Sequence, residues 1–345
     1  MSIIEVANIA GVSKSTVSRV INDLPGVAPE ATAAVRRAMG QLGYRPSARR
    51  PGPKPANRQG IKTGNVALLS IGRNSSDLYT LPVLPAMLHG VERCLAEQGL
   101  NLMVASLSPG GPIPAILSSG QADGLLLFGK WEAMPTDIRR LLLNHVGVWV
   151  LREHSDPLGE FDHVFYDNAA VGHLAARYLL ERGHKRVGFV NARPGHNAFA
   201  HRGREFVAAV NQAGGDVQAF VAPGEAEHAD PIAYEALLGK MLDGKNRPTG
   251  LFVPADRELA GVCRALESRG LQLGKDLDVI SCDNEQQYLA SLKVRPATID
   301  INLDLVGRRG VQQLLWRMQN PEEKNRIDVL VKPRLVSADE IVISG

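Results

Sequence analysis

Apolar residues recur along this chain with two rhythms. In the opening stretch Ile3, Val6, Ala7 and Ala10 step by three and four, the spacing of one buried stripe on a short helix. Gly11 breaks the run. The rhythm restarts with Val17, Val20 and Ile21 on one face of a second helix capped by Ser13, while Lys14, Ser15, Ser18, Arg19 and Asn22 share the opposite face. Pro29 suits the first turn of a third helix, with Val35, Ala38 and Leu42 facing inward before Gly43 ends it. Two short helices around a glycine turn, the second presenting hydrogen-bonding groups, predict a helix-turn-helix closed by a third helix.

The helical rhythm stops at Arg45. From there to Gly64 come Pro46, Pro51, Pro53 and Pro55, with Gly52 and basic residues between them, which predicts an extended linker. Beyond it the second rhythm sets in: continuous apolar runs at Asn65 to Gly72, Leu100 to Leu107, Asp123 to Gly129 and Val146 to Leu151, separated by amphipathic stretches such as Pro82 to Gln98. Unbroken apolar strands suit parallel sheets covered on both faces. A second wave begins near Phe161 and continues through KRVGFVN, GLFVP and DVISC. The expected fold is therefore a small all-α helix-turn-helix headpiece (1–46), a basic Pro-rich linker (47–64) and a two-lobed α/β domain with doubly wound parallel sheets (65–345). Its lobes should lie near 65–160 and 161–290, with crossovers and a cleft between them. After Ile327 only one short strand, LVKPRLV, and a polar end are expected.

Charge sharpens this picture. No acidic residue occurs between Glu30 and Asp77, and residues 1–64 hold ten Lys or Arg against Glu5, Asp23 and Glu30, a net of +7. The remainder, with 29 basic and 33 acidic residues, is at −4. A basic front end carrying a helix-turn-helix points to double-stranded DNA as the polyanion partner. No apolar run reaches membrane-spanning length and no secretory h-region opens the chain, so the expected compartment is the cytoplasm, with no membrane association. Cys94, Cys263 and Cys282 are odd in number and form no CxxC, which suggests neither a disulfide framework nor a metal site. Dinucleotide-binding, P-loop and nucleophile-elbow motifs are missing, which speaks against an enzyme and against a cofactor. The competing readings of the body are a solute-binding protein or a Rossmann-like enzyme with an appended DNA-binding module.

The residues also carry a specific resemblance. EVANIAGVSKSTVSRVIND with Val27 and LGYRPS resembles the DNA-binding headpiece of the lac repressor family. YDNAAVGHLAARYLLERGHKRVGFV, HRGREFVAAV and CDN resemble the body of that family and of the periplasmic sugar-binding proteins. The resemblance implies a ligand-responsive transcriptional regulator, most simply a repressor, acting as a homodimer on a pseudo-palindromic operator. It implies base reading by Lys14, Ser15 and Arg19, and phosphate contact or support by Ser13, Thr16, Ser18, Asn22 and Tyr44. Arg45, Ser47, Arg49, Arg50 and Lys54 fall in the hinge. Here Pro51, Gly52 and Pro53 stand where the family's hinge helix finishes and its wedging leucine is missing, which leaves a minor-groove arm and a plain tether as alternatives.

For the effector, the resemblance implies Arg202, with His196 and Asn197 before it, then Asp283 and Asp167. Their donors and acceptors suit the hydroxyls of a sugar or a similar small polar metabolite. Structural ion pairing is the alternative for Arg202 and Asp283, and a helix cap is the alternative for Asp256. Tyr79 is the aromatic candidate for stacking, and Arg152 or Glu153 lies where relatives carry a ligand-contacting aspartate. The Arg202 guanidinium is expected to face the cleft rather than the core.

Overall fold

The computed structural model describes residues 3–21, 25–44, 60–73, 81–131, 133–151, 158–159, 161–224 and 231–338. Compactness divides the chain into a unit Met1–Lys54 and a unit Pro55–Gly345. In the first, helices α1 (Ile3–Ala10), α2 (Lys14–Ile21) and α3 (Pro29–Gln41) close on a core in which Val6, Val17 and Val35 are fully buried. These are the positions that the three-and-four spacing selects. The turn between α1 and α2 needs a left-handed residue, which Gly11 supplies at φ +63°, and the Val12 amide then closes onto the Ala7 carbonyl. Pro29 opens α3, where a missing N–H costs nothing.

The second unit holds two six-stranded sheets. The first comprises β1 (Asn65–Ile71), β2 (Asn101–Leu107), β3 (Gly124–Gly129), β4 (Gly147–Val150), β5 (Asp162–Tyr166) and β11 (Asp328–Val331), all parallel, in the order β11-β5-β4-β3-β1-β2. The second comprises β6 (Arg186–Asn191), β7 (Asp216–Val221), β8 (Gly250–Phe252), β9 (Asp278–Cys282), β10 (Ala297–Asp300) and β12 (Arg334–Val336), in the order β12-β10-β9-β8-β6-β7. Only β12 runs antiparallel to its neighbour. Helices α4 (Leu84–Glu97) and α5 (Thr136–Leu143) belong to the first lobe, and α6 (Asn168–Glu181), α7 (Asn197–Gln212), α8 (Pro231–Leu242), α9 (Leu259–Glu267) and α10 (Gln286–Leu289) to the second.

The chain then returns: α11 (Leu303–Gln319) packs on α4 in the first lobe. The two helices meet backbone to backbone, because a Cβ at Gly90 would stand 2.0 Å from the Asp304 carbonyl oxygen and one at Gly307 would stand 2.2 Å from that of Met87. This topology corrects two expectations. The strand near Phe161 belongs to the first sheet, so the second lobe begins after Tyr166. The LVKPRLV stretch is two strands in different sheets, β11 and β12, split where Lys332 and Pro333 leave the ladder.

Three crossovers therefore join the lobes, at Asp167, at Ile301 and Asn302, and at Lys332 and Pro333. They are tied together. The Lys332 ammonium lies 2.6 Å from an Asp167 carboxylate oxygen, and the Asn302 amide donates to the Lys332 carbonyl at 2.8 Å from a left-handed backbone. Leu151 and Tyr166 pack against the apolar cores of both lobes. Among the described residues no helix is long and apolar enough to cross a membrane.

Candidate DNA-reading face and interlobe site

The α2 helix divides cleanly. Val17 and Val20 are buried, while Lys14, Ser15 and Arg19 are exposed, with Ser15 and Arg19 one turn apart on the same face. The Ser13 hydroxyl accepts the Thr16 amide at 3.2 Å and caps the helix, and it also lies 2.7 Å from the Ser15 hydroxyl. The cap thus orients one of the three candidate base readers. Thr16 and Ser18 are half-buried beside them, and Tyr44 packs against the headpiece core. Lys14 puts positive charge at the helix N-terminus, where the dipole disfavours it and where an approaching phosphate is favoured. Asn22 and the hinge candidates Arg45, Ser47, Arg49, Arg50 and Lys54 lie outside the described residues, as do Tyr79, Arg152 and Glu153.

In the second unit, side chains from the carboxyl ends of strands in both sheets converge, the crevice where open α/β sheets take ligands. Arg202 is its centre. Its guanidinium donates to Asn168 Oδ1 at 2.9 Å and to the Pro254 carbonyl at 2.6 Å, and pairs with Asp283 Oδ1 at 3.0 Å. It also lies over the rings of Tyr166, from the first sheet, and Phe199, at 5.4 and 5.8 Å. Gly172 makes this placement possible, since a Cβ there would stand 2.6 Å from the Arg202 carbonyl oxygen and hold α7 off α6. At 1% exposure Arg202 is among the largest fully buried side chains. The expectation of a guanidinium facing an open cleft is corrected: it is built into the wall. Burial disfavours its charge, but Asp283 more than offsets this and raises its pKa.

Asp283 pays in backbone strain, with φ +101° followed by Asn284 at +54°. Asp256 is fully buried and caps nothing: the 3-10 turn that it opens is preceded by Ala255, with no side-chain cap. Its carboxylate instead accepts from the Ser281 hydroxyl, from the Thr298 hydroxyl at 2.8 Å and from the Glu285 amide at 2.7 Å, tying β9 to β10. Burial, then the charge of Asp283, pushes its carboxyl up to about 7. Asp167 is the N-cap of α6, accepting the Ala170 amide at 2.9 Å, while Lys332 takes its other oxygen. Burial opposes its charge, but Lys332 and the backbone amides hold its pKa below the usual value.

His196 stacks on Phe199 with ring centroids 4.1 Å apart. Burial, reinforced by Arg193, Arg202, Arg257 and Arg73, drives its pKa down to about 3, so the imidazole is neutral. Arg73 follows β1 of the first lobe, so this field comes from both lobes. Asn197 opens α7 and is exposed.

Sequence reasoning missed several neighbours. Arg193 and Arg257 flank Glu258, at 4.0 and 3.7 Å, and both guanidinium groups lie over the Phe199 ring. Glu285, two residues beyond Asp283, is 9% exposed. Asn168 was within reach, since it completes the YDN triplet. The charged residues after Asp256 carry no local signal that separates them from solvent-facing ones.

A three-helix headpiece with an exposed basic reading face, joined to a two-sheet body with a polar interlobe crevice, defines the class of DNA-binding regulators with a ligand-binding body. Residues 2–47 match the family described as bacterial regulatory proteins, lacI family, and residues 176–337 match the periplasmic binding protein-like domain. The chain thus carries a lacI-family DNA-binding domain and a periplasmic binding protein-like domain, the make-up of a DNA-binding transcriptional regulator. The HTH-type transcriptional repressor PurR of Serratia proteamaculans (strain 568) is 28% identical over 341 residues, 96% of this chain and 94% of the relative. PurR of Photorhabdus laumondii is 28% identical over 347 residues, 98% and 96% of the two chains. Among solved structures, the lac repressor dimer bound to operator and the anti-inducer ONPF aligns with a TM-score of 0.66 at 18% identity, over 99% of each chain. The transcriptional regulator CelR–cellobiose complex aligns at 0.62 and 24%, covering 97% of this chain and 98% of that one. At these identities the structural likeness speaks for the fold.

Proposed function

We propose that this protein is a cytoplasmic repressor whose homodimer binds a pseudo-palindromic operator and whose affinity for it is set by a small neutral polyol, a sugar or close analogue, held between the lobes. The observation that carries this reading is Arg202, which pairs with Asp283 in one lobe while lying over Tyr166 of the other. A ligand engaging that pair senses how the lobes stand relative to each other. Relatives support the reading: PurR is named a repressor, the lac repressor structure is a dimer on operator, and CelR holds cellobiose.

In this reading Lys14, Ser15 and Arg19 contact base edges, and Ser13, Thr16, Ser18, Asn22 and Tyr44 position the helix on phosphates. Arg45, Ser47, Arg49, Arg50 and Lys54 follow the groove. The headpiece spans 1–46, the linker 47–64 and the effector body 65–345. His196, Asn197, Asp167, Asp256 and Tyr79 complete or support the ligand site. One headpiece reads few base pairs, and two-fold pairing multiplies specificity. The test is operator selection from random DNA, followed by titration of the selected duplex against cellobiose, ribose and glucose. A palindromic motif and a sugar-dependent shift are expected. A monomeric footprint, or operator affinity indifferent to every neutral sugar, overturns the reading.

A further inference from the structure

The Arg202–Asp283 pair does not account for all the polar groups buried at this site. Both carboxyl oxygens of Glu285 are shut off from solvent and meet no hydrogen-bond donor among the described residues. The Nε of Arg257 is equally buried and equally without an acceptor. The two are held close by the backbone, since the Glu285 amide donates at 2.7 Å to the carboxylate of Asp256, the residue before Arg257. Yet they form no ion pair with each other within 4.0 Å, since Arg257 leans to Glu258 at 3.7 Å. A buried guanidinium nitrogen and two buried carboxyl oxygens left without hydrogen bonds are an arrangement that folding alone disfavours. A ligand that supplies the missing partners resolves it.

We propose that Glu285 and Arg257 form a second ligand clamp beside Arg202 and Asp283, accepting from and donating to adjacent hydroxyl groups of a neutral polyol. A hydroxyl is the group that fits, because it donates to a carboxylate and accepts from a guanidinium at once. An ammonium uses only the acid, and a phosphate only the base. Burial and the neighbouring Asp283 keep Glu285 protonated up to about pH 8 while it has no partner, so hydroxyl donors from a ligand favour its ionised form.

This inference rests on the proposed sugar-type effector, and the experiment separates the two. Full-length wild type and Glu285→Gln are compared in two measurements. Without ligand, thermal unfolding is followed from pH 5.5 to 8.5. A ligand-binding carboxyl left unpaired by the fold predicts a Glu285→Gln midpoint equal to or above wild type at pH 8.5, with a flatter pH profile. A carboxyl needed by the fold predicts a lower midpoint at every pH, which overturns the clamp. With ligand, cellobiose, ribose and glucose are titrated calorimetrically into both proteins, with glucose 6-phosphate as the anionic probe. At least a tenfold loss of affinity in Glu285→Gln for a neutral sugar that wild type binds is the expected result. Equal affinity overturns the clamp and leaves the effector reading standing. Binding of no neutral sugar by wild type, or of glucose 6-phosphate alone, overturns both.

Discussion

Arg202 shows how a residue can be structural and functional through the same contacts. Its partners are Asp283, Asn168 and the Pro254 carbonyl, all within 3.0 Å, and among the described residues Asp283 has no other charged partner at that distance. Removing one member of a buried pair strands the other charge, at a cost of about 3–5 kcal/mol. Arg202→Ala is therefore expected to lower stability by that order and to lose the ligand response as a consequence. Arg202→Ala combined with Asp283→Asn recovers much of the stability but not the response. Urea unfolding of the single and double variants checks this, and an Arg202→Ala midpoint equal to wild type would show that the pair is not closed. The neighbouring carboxyls make a second, pH-dependent statement. Asp256 and Glu285 are raised to about 7 and about 8, from about 3.9 and 4.3 in an unfolded chain, so their burial is tolerated fully below about pH 4, destabilises increasingly as pH rises from there, and levels off above about 7 and 8. His196, lowered to about 3 from about 6.5, acts oppositely: it opposes folding as pH falls below about 6.5. Between about pH 4.5 and 6.5 the histidine partly cancels the carboxyls, and above that the carboxyls act alone. The contribution of this cluster to stability should thus fall at about the same rate from pH 5 to 6.5 as from 6.5 to 8, and level off above about pH 8. Unfolding of wild type against Glu285→Gln isolates it, and parallel profiles in the two proteins would contradict the assignment.

At the scale of elements, α2 is the clearest case of sequence dictating both structure and chemistry. Ser13→Ala removes the cap and the hydroxyl that orients Ser15, and should cost the headpiece about 0.5–2 kcal/mol. Exchanging Lys14 and Ser15 should leave that stability intact and change the preferred operator, read by selection from random DNA; recovery of the parental motif would sink direct readout by this pair. Arg19→Ala should cost about 1–3 kcal/mol on the best site. The headpiece was legible because its spacing is local. The central strands were legible because burial on both faces leaves unbroken apolar runs such as LLLF and VWV. Other elements gave no such signal. The edge strand β7 has no fully buried position, its residues being half-buried or exposed, so DVQAFV reads weakly. Helix α11 contains Gly307 and Gly310, which look like breakers in sequence and are close-packing points in the fold. In the site, family motifs pointed to Arg202 and Asp283, but neither the burial of that pair nor the place of Glu285 is written in any local pattern. Both depend on a helix and a strand end about 80 residues apart in the chain coming together, as Arg202 and Asp283 do.

At the scale of the whole molecule, the question is how the state of the lobes reaches the linker. Asp123 stands at that junction. Its carboxylate, just before β3, accepts the amides of Lys62, Thr63 and Gly64 at 2.7 to 3.1 Å and so fixes the chain where it enters β1. Gly60 presses on the end of α11, where a Cβ would meet the Met318 carbonyl oxygen at 2.8 Å. The last residues before the body are thus held by two elements of the first lobe, one of which, α11, follows directly from a crossover. Burial opposes the Asp123 charge, but the amides outweigh it and lower its pKa, so this anchor is strongest above the usual carboxylate range and weakens as pH falls through it. Asp123→Ala should free the linker entry while leaving the interlobe site untouched. Linkage makes the expectation strict: whatever factor ligand exerts on operator affinity, operator must exert on ligand affinity. In wild type, a neutral sugar titrated with and without operator duplex should give two affinities whose ratio matches the sugar-induced change in operator binding. In Asp123→Ala the two sugar affinities should converge on each other, close to the DNA-free wild-type value. A variant that keeps the wild-type ratio would show that the lobes reach the linker by another route, and one that loses sugar affinity without DNA would show that Asp123 supports the site itself.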